Sequence, residues 1–291
     1  MLPNEAGPNE AAPNDEMVEY WNGVGGTRWV SAQDRYDQML DPVSAPMLDL
    51  LDPQPGDRLL DIGCGPGSVT LQVARRLDGQ GLVTGLDVSH ALLELAAARV
   101  GAEGLGDVVE LVEGDAQIHP FAPGAATAVT SRFGVMFFAD PTAAFANLGR
   151  ATSDGARLAM TVWQTREANE WMDLPMSISG RIISAPPTDP TAPGPCALGD
   201  ADRTRTILED AGWRDVEIVP SVGTLLLGGP GTFAESISFV VDHGTLSRLL
   251  IDADPSDVER VRTALIDELA DRHDGTGLRL GYAVWLITAT R

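Results

Sequence analysis

One stretch of the sequence decides the fold: Leu59-Leu60-Asp61-Ile62-Gly63-Cys64-Gly65-Pro66-Gly67. A short apolar run ending in alternate glycines is typical of a buried parallel strand that turns into a helix. Such a turn lets the backbone approach a ligand closely, beneath the helix N-terminus. A nicotinamide dinucleotide fingerprint needs glycine at positions one, three and six, whereas the sixth position from Gly63 is Ser68. The spacing therefore makes a nicotinamide oxidoreductase the least favoured of the functions considered.

Predicted strands and helices alternate on either side of this stretch. Besides 58–62, strands are expected at 81–87, 108–112, 127–131, 157–163, 213–222 and 278–290. Repeated strand–helix units form a parallel sheet with right-handed crossovers and helices on both faces. The predicted fold class is therefore α/β, with a seven-stranded, mostly parallel sheet.

The chain is expected to consist of a tail and one domain. The first fifteen residues repeat a Pro-Asn-acidic pattern that offers nothing to pack, and we predict a disordered tail over residues 1–18. The domain spans 19–291 and divides into three parts, which are an N-terminal helical cap at 19–55, a ligand-binding core at 56–163, and a lid with the rest of the sheet at 164–291.

Proline patterns predict local breaks in the cap and in the lid. In the cap, a helix over 31–40 should be followed by a second that starts at Asp41-Pro42, because Asp caps helices and Pro suits their first turn. In the lid, five prolines between Pro186 and Pro195 exclude a central strand or helix and favour a surface excursion.

Composition excludes several classes of chemistry. The 291 residues include 42 acidic and 20 basic side chains, all 20 of them arginine, which gives a net charge of −22. Without lysine there is no Schiff-base or P-loop chemistry. Two cysteines and four histidines cannot build a zinc, iron–sulfur or disulfide framework, so we predict no metal and a reducing, cytoplasmic location.

The same composition bears on the partners. The acidic balance argues against nucleic acid, because phosphate binding depends on a positive surface. No apolar run is long enough for a membrane span, and the start, Met-Leu-Pro-Asn-Glu, has no basic segment typical of a secretory signal. A small molecule is the expected partner, whereas the oligomeric state leaves no readable pattern.

Two acids extend the ligand site suggested by the glycine turn. Asp87 ends the second strand, 24 residues after Gly63, where a carboxylate can accept hydrogen bonds from both hydroxyls of a ribose. Asp115 ends the third strand, where it can accept from an adenine amino group. Either Asp alone is equally well explained as a turn residue. Together with the glycine turn they form one crevice at the strand ends.

With these residues the sequence resembles the class I S-adenosylmethionine-dependent methyltransferases of the ubiquinone/menaquinone-biosynthesis-like (type 11) group. The resemblance covers roughly residues 19–291, and it implies a Rossmann-like sheet and S-adenosylmethionine as the cofactor. Its carriers are Leu59–Gly67, Asp87, Gly114-Asp115-Ala116, Ser131–Phe138, Tyr20-Trp21-Asn22-Gly23, Arg28-Trp29-Val30, Ala211-Gly212-Trp213 and Leu280–Ala289.

The resemblance also implies roles for individual residues. The methionine moiety would lie on the turn formed by Gly63, Cys64 (through its backbone), Gly65 and Gly67. Its ammonium would lie near Asp61, its ribose at Asp87 and Val88, and its adenine at Asp115 and Ala116. The remaining cofactor contacts would be Arg132, Tyr20 and Trp29. For the two aromatic residues, ordinary core packing is an equally good explanation.

The predicted function is methylation of a small, largely apolar or aromatic metabolite at oxygen or nitrogen, in natural-product biosynthesis. Phe133, Phe137, Phe138 and Trp163 are the expected acceptor contacts, although any single one of them is more often a core residue. A base is required only if the nucleophile arrives protonated, and His243 is then the candidate, with simple packing as its alternative. The alternative function is a non-methylating use of the bound cofactor, by a cyclase or a regulatory binding protein.

Overall fold

The computed structural model describes residues 14–184 and 189–291, and these residues are built around one seven-stranded sheet. The strand order is β3-β2-β1-β4-β5-β7-β6, in which β7 runs antiparallel to both of its neighbours and the pairs among β1 to β5 are parallel. The predicted seven-stranded, mostly parallel sheet is confirmed. The strands are β1 Arg58–Ile62, β2 Leu82–Asp87, β3 Val109–Glu113, β4 Ala126–Arg132, β5 Thr152–Trp163, β6 Arg214–Leu226 and β7 Arg279–Thr290.

Helices cover both faces of the sheet, and strand β1 shows why. Its side chains alternate, so Leu59 joins one buried cluster whereas Leu60 and Ile62 join the other. The helices are α1 Asp15–Asn22, α2 Val24–Ser31, α3 Gln33–Leu51, α4 Ser68–Arg76, α5 His90–Glu103, α6 Pro141–Ala151, α7 Glu170–Ser179, α8 Ala201–Asp210, α9 Phe233–Asp242, α10 Leu246–Leu249 and α11 Pro255–Leu269. None of them, within the described part of the chain, is long and apolar enough to cross a membrane.

The first helix begins earlier than the sequence indicates. Residues 1–13 of the expected tail lie outside the described residues, but residues 15–18 belong to α1, so for them the prediction of disorder is wrong. The reason is Asn14, a buried residue whose amide donates to Asp115 Oδ1 at 3.4 Å and accepts from the Ala139 N–H at 3.2 Å. These contacts fix the start of α1 against the strand ends.

A break at Asp41-Pro42 was expected, but α3 continues through it to Leu51, so this prediction is also wrong. Pro42 is exposed and Pro46 is half-buried, so water can satisfy the carbonyls that lose their helical donors. The opposite side of α3 buries Met39, Val43 and Met47. Burial of that continuous apolar face outweighs the two missing hydrogen bonds.

The lid combines a helix with an irregular loop. Helix α7 lies within 164–200, and Pro186 and Pro187 lie outside the described residues. The described part of the proline-rich loop is irregular, as expected, and the Gly194 N–H donates to the Met136 carbonyl at 3.0 Å. This bond ties the loop to the turn that follows β4. Helices α9 and α10 were not predicted from the sequence.

Candidate active site

A cavity of about 1870 Å³ opens at the carboxyl ends of β1 to β4, beneath α1 and α2. The strand order reverses at β1, which has β2 on one side and β4 on the other. Ligands bind at such a switch point in open α/β sheets. The sequence-predicted site residues in its wall are Tyr20, Trp29, Asp61, Gly63, Cys64, Gly65, Asp87, Val88, Asp115, Ala116, Arg132, Phe133, Phe137, Phe138, Trp163 and His243. Gly67 lies outside that wall.

The three glycines of the turn after β1 have different tasks. All three have positive φ, at +64°, +53° and +79° for Gly63, Gly65 and Gly67. A Cβ on Gly63 would lie 2.6 Å from the Gly134 Cα, and one on Gly67 would lie 3.2 Å from the Ala96 Cβ. Gly65 has no other atom within 4 Å of that position, so its open side faces the cavity. The structure therefore assigns Gly67 to the packing of α4 on α5 and not to the cavity, which corrects the expectation for this residue.

The Asp87 carboxylate holds the glycine turn in place. Its Oδ2 accepts the Gly65 N–H and its Oδ1 accepts the Ser89 N–H, both at 2.8 Å. Burial raises the pKa of Asp87, while the bonds from Ser89 and Gly65 act against that rise. Each carboxylate oxygen has a further lone pair, so Asp87 can accept two more hydrogen bonds from a ligand.

Asp61 is a buried carboxylate at the base of the cavity, only 1% exposed. Its Oδ2 accepts the Thr70 hydroxyl at 2.6 Å. Burial raises the pKa of Asp61 to about 6, although the Thr70 hydrogen bond and the charge of Arg132 both lower it. A carboxylate in this setting is strongly stabilised by any cationic group that enters the cavity beside it.

Asp115 and Val88 connect α1 to the strand ends. Asp115 Oδ1 accepts the Gln117 N–H at 3.0 Å as well as the Asn14 amide. The Val88 carbonyl accepts the side-chain amide of Asn22 at 2.8 Å. The cap is thus held directly over the ends of β2 and β3.

Aromatic rings line the far side of the cavity and form what we call the aromatic chamber, made of Trp21, Trp29, Phe133, Phe137, Trp163 and Trp171. The rings contact one another, with Phe133 stacked on Trp163 at 4.1 Å and Trp21 edge-on to Phe137 at 5.1 Å. Phe133 has a φ of +69°, rare for a side chain of this size. That backbone conformation, directly after β4, turns the ring towards Trp163.

His243 follows the last residue of α9 and lies in the cavity wall. Its carbonyl accepts the Tyr36 hydroxyl at 2.7 Å, and its buried Nδ1 has no hydrogen-bond partner among the described residues. Burial lowers the pKa of His243, so at neutral pH the imidazole is uncharged and retains a lone pair. These are the properties that a proton acceptor needs.

Comparison with known proteins agrees with this geometry. Residues 59–155, which contain the glycine turn and both strand-end acids, match the family model described as "Methyltransferase domain". This segment of the chain belongs to the class I S-adenosylmethionine-dependent methyltransferase family. The family predicted from the sequence is thereby confirmed.

Two relatives and one solved structure illustrate the extent of similarity. Nocamycin O-methyltransferase from Saccharothrix syringae is 35% identical over 41% of this chain and 42% of its own length. A ubiquinone/menaquinone biosynthesis C-methyltransferase from Ruegeria is 32% identical over 44% of this chain and 54% of its own. The matches thus span about half of the relatives. The crystal structure of the YcgJ protein from Bacillus subtilis shares the fold, with a TM-score of 0.57 at 16% identity over 86% of this chain and 98% of that one.

Three residues of the candidate site escaped prediction from the sequence. Thr70 supports Asp61 from α4, and Trp21 adds a ring beside Phe137. Arg28 places a guanidinium in the cavity wall. For Arg28 and Trp21 a signal existed, because both belong to the stretches that carry the family resemblance. Thr70 gave none, since its hydroxyl reaches Asp61 only after α4 has folded against β1.

Proposed function

We propose that this protein transfers a methyl group from S-adenosylmethionine to oxygen or nitrogen of a small, largely apolar or aromatic metabolite. One observation carries the proposal. A single cavity joins the glycine turn and the acids of β1 to β3 to the aromatic chamber, so a cofactor and an apolar acceptor can meet inside it. The similarity to nocamycin O-methyltransferase supports a natural product as the acceptor.

The residues present suit S-adenosylmethionine. Gly65 leaves open space where any other residue would place a Cβ, which makes room for the methionine moiety on the turn. Asp61 would pair with the ammonium, and Asp87 with Val88 would receive the ribose. Asp115 and Ala116 would bind the adenine, with Arg132, Tyr20 and Trp29 along the flanks.

The protein's own contribution to the reaction is alignment and exclusion of water. Bound S-adenosylmethionine supplies an electrophilic methyl carbon on a sulfonium. Phe133, which follows β4, and the rings of Phe137, Phe138 and Trp163 would hold the acceptor's nucleophilic atom in line with that carbon. Where the nucleophile carries a proton, the neutral imidazole of His243 would accept it at Nδ1.

The test is a transfer assay with methyl-labelled S-adenosylmethionine and a collection of aromatic natural-product precursors, analysed by product mass. We expect a labelled product and one S-adenosylhomocysteine for each methyl group transferred. A product without the label, or an unlabelled isomer of the acceptor, would contradict the proposal and favour the cyclase alternative.

Asp87→Asn and Glu113→Gln provide a matched pair for the cofactor site. Both residues end neighbouring strands, but only Asp87 lies in the cavity wall, whereas Glu113 pairs with His90 on the surface. Asp87→Asn should weaken S-adenosylmethionine binding by about tenfold or more, because hydrogen bonds to a charged acceptor are lost. Calorimetry should find Glu113→Gln equal to wild type; equal weakening in both variants would place the cofactor elsewhere.

A further inference from the structure

Arg28 is a cation in the cavity wall that no carboxylate of the described residues pairs with. Its Nη1 is buried and forms no hydrogen bond with any described residue. Acids are not scarce in a chain with 42 of them, and other arginines are paired, as Arg157 is with Asp57 at 2.6 Å and Arg99 with Asp37 at 2.7 Å. Arg28 is partly exposed, but removing one of its N–H groups from water without a partner is costly, so the retention of Nη1 in a binding cavity points to a ligand.

The surroundings of Arg28 locate it on the acceptor side of the cavity. Its neighbour Trp29 stacks on Tyr36 at 4.0 Å, and the Tyr36 hydroxyl donates to the His243 carbonyl. Burial raises the pKa of Tyr36 and lowers the pKa of His243. The positive charge of Arg28 lowers the pKa of both residues. The cation that acts on Asp61 at the cofactor end is instead Arg132. The charge of Arg28 is therefore close enough to act on Tyr36 and His243, which lie in the same cavity wall.

Two more nitrogen atoms in this wall have no partner among the described residues. They are the indole Nε1 of Trp29 and Nδ1 of His243, and both are buried. A guanidinium donates two parallel N–H groups to the two oxygens of a carboxylate, and an indole N–H adds a third donor. Arg28 and Trp29 therefore place two unpaired donor groups in this wall, beside the rings of the aromatic chamber, while His243 Nδ1 is an acceptor.

We propose that the acceptor carries a carboxylate, which Arg28 binds at the wall of the aromatic chamber. The proposal rests on the proposed methyl transfer and names the acceptor class as aromatic acids. A carboxylate paired with a guanidinium is a poor nucleophile, because its charge is already engaged. The carboxylate therefore anchors the acceptor, and the methyl group goes to a different oxygen or nitrogen of the same molecule.

The test compares aromatic acids with their neutral amides as probes. Benzoic, 2-naphthoic and anthracene-2-carboxylic acids and their primary amides are titrated calorimetrically into protein saturated with S-adenosylhomocysteine. We expect at least one acid to bind the wild type about tenfold or more tightly than its amide. Arg28→Gln should abolish that preference and leave amide binding unchanged, and Arg28→Lys should retain part of it.

Arg203→Gln is the matched control, because Arg203 also lies in the cavity wall but donates to the Ala197 carbonyl. It should keep the preference for acids. The proposal is wrong if no acid is preferred over its amide, if the preference survives in Arg28→Gln, or if Arg203→Gln abolishes it instead.

Failure of this proposal is distinguishable from failure of the proposed function. Binding of S-adenosylhomocysteine is measured first in every variant, and Arg28→Gln should leave it within about twofold of wild type. A tenfold loss there would show that the guanidinium holds the carboxylate of the cofactor and would overturn the acceptor assignment alone. Absence of cofactor binding in the wild type would instead overturn the proposed methyl transfer.

Discussion

At the scale of single residues, the glycine turn illustrates how the same backbone conformation serves different ends. Gly63 and Gly67 are required by close neighbours, whereas Gly65 is required by the space in front of it. The buried acids show a similar division, because Asp87 is held by backbone N–H groups and Asp61 by a threonine hydroxyl. Substitutions of the glycines test steric effects and substitutions of the acids test electrostatic effects, so the two kinds are predicted separately.

Gly65→Ala and Gly79→Ala should separate backbone strain from loss of the ligand site. Both glycines have positive φ, +53° and +75°, and both have free space for a Cβ, but Gly79 lies outside the cavity wall. Each substitution should cost about 1 kcal/mol of unfolding free energy through the φ requirement alone. Only Gly65→Ala should also weaken cofactor binding, by about tenfold or more. Calorimetry that finds the two variants equally competent would remove Gly65 from the cofactor site.

Asp61 should make cofactor binding dependent on pH. Because burial raises its pKa to about 6, the carboxylate becomes protonated as the pH falls through 6 and can no longer pair with an ammonium. Affinity for S-adenosylmethionine should therefore decrease below pH 6, by up to about tenfold per pH unit. Asp61→Asn should bind weakly with a flat profile between pH 5 and 7. A variant that kept the wild-type slope would assign it to another group, such as the buried Asp87.

The same raised pKa predicts an effect on stability. The folded protein binds the Asp61 proton more tightly than the unfolded chain does, so the unfolding free energy falls as the pH rises from 3.8 to about 6. Asp61→Asn removes this loss, and thermal unfolding of the ligand-free protein should show a higher Tm for the variant at pH 7 than for the wild type. At pH 4 the two should differ little.

At the scale of single elements, helix α3 is the clearest case of packing that overrides a local signal. Two prolines interrupt its hydrogen bonds, yet the buried side, from Met39 to Leu51, is continuous. The cap depends on this helix, since Tyr36 on α3 contacts both Trp29 and His243. Its continuity is therefore relevant to the site as well as to the fold.

Pro42→Ala should stabilise the protein, because Pro42 lies inside α3 and alanine restores a helical N–H donor. We expect the unfolding free energy to rise by about 2 kcal/mol in chemical denaturation. Pro141→Ala is the control, since Pro141 is at the start of α6, where Asp140 caps the helix and proline costs nothing. If both variants leave stability unchanged or lower it, then a helix begins at Pro42 as the sequence suggested.

At the scale of the whole molecule, the charge of −22 is a property that acts on ligands before they bind. The cavity wall includes acidic residues such as Glu16, Glu167 and Asp189. Their negative charge has the same sign as the net charge of the protein. A field of this kind attracts cations and repels anions over about a Debye length. It therefore acts differently on the two forms of the cofactor.

S-adenosylmethionine carries one net positive charge, whereas S-adenosylhomocysteine is net neutral. Stopped-flow tryptophan fluorescence should show that the association rate of S-adenosylmethionine falls about three- to tenfold between low and high salt. The association rate of S-adenosylhomocysteine should change little, because a molecule without net charge experiences little net attraction. Equal salt dependence for both forms, or a rate that rises with salt for the first, would contradict steering by the acidic surface.

The sequence by itself determined the sheet and the proposed cofactor half of the site. Strand-length apolar runs, the glycine turn and an acid at each following strand end are local patterns, and the parallel topology then brings those strand ends to one edge. Asp61, Asp87 and Asp115 could therefore be named together before any coordinates were known. Their hydrogen-bond partners could not all be named, because Thr70 is brought to Asp61 by packing.

Only the tertiary structure decided the proposed acceptor half of the site. Tyr36 and His243 are 207 positions apart and are joined by a hydrogen bond, and the charge of Arg28 acts on both. No local pattern encodes such a contact, because it forms only when the cap and α9 pack over the same strand ends. Helix α3 continues through its prolines for the same reason. The free energy gained by burying its apolar side depends on contacts with distant segments, and a local sequence pattern does not reveal those contacts.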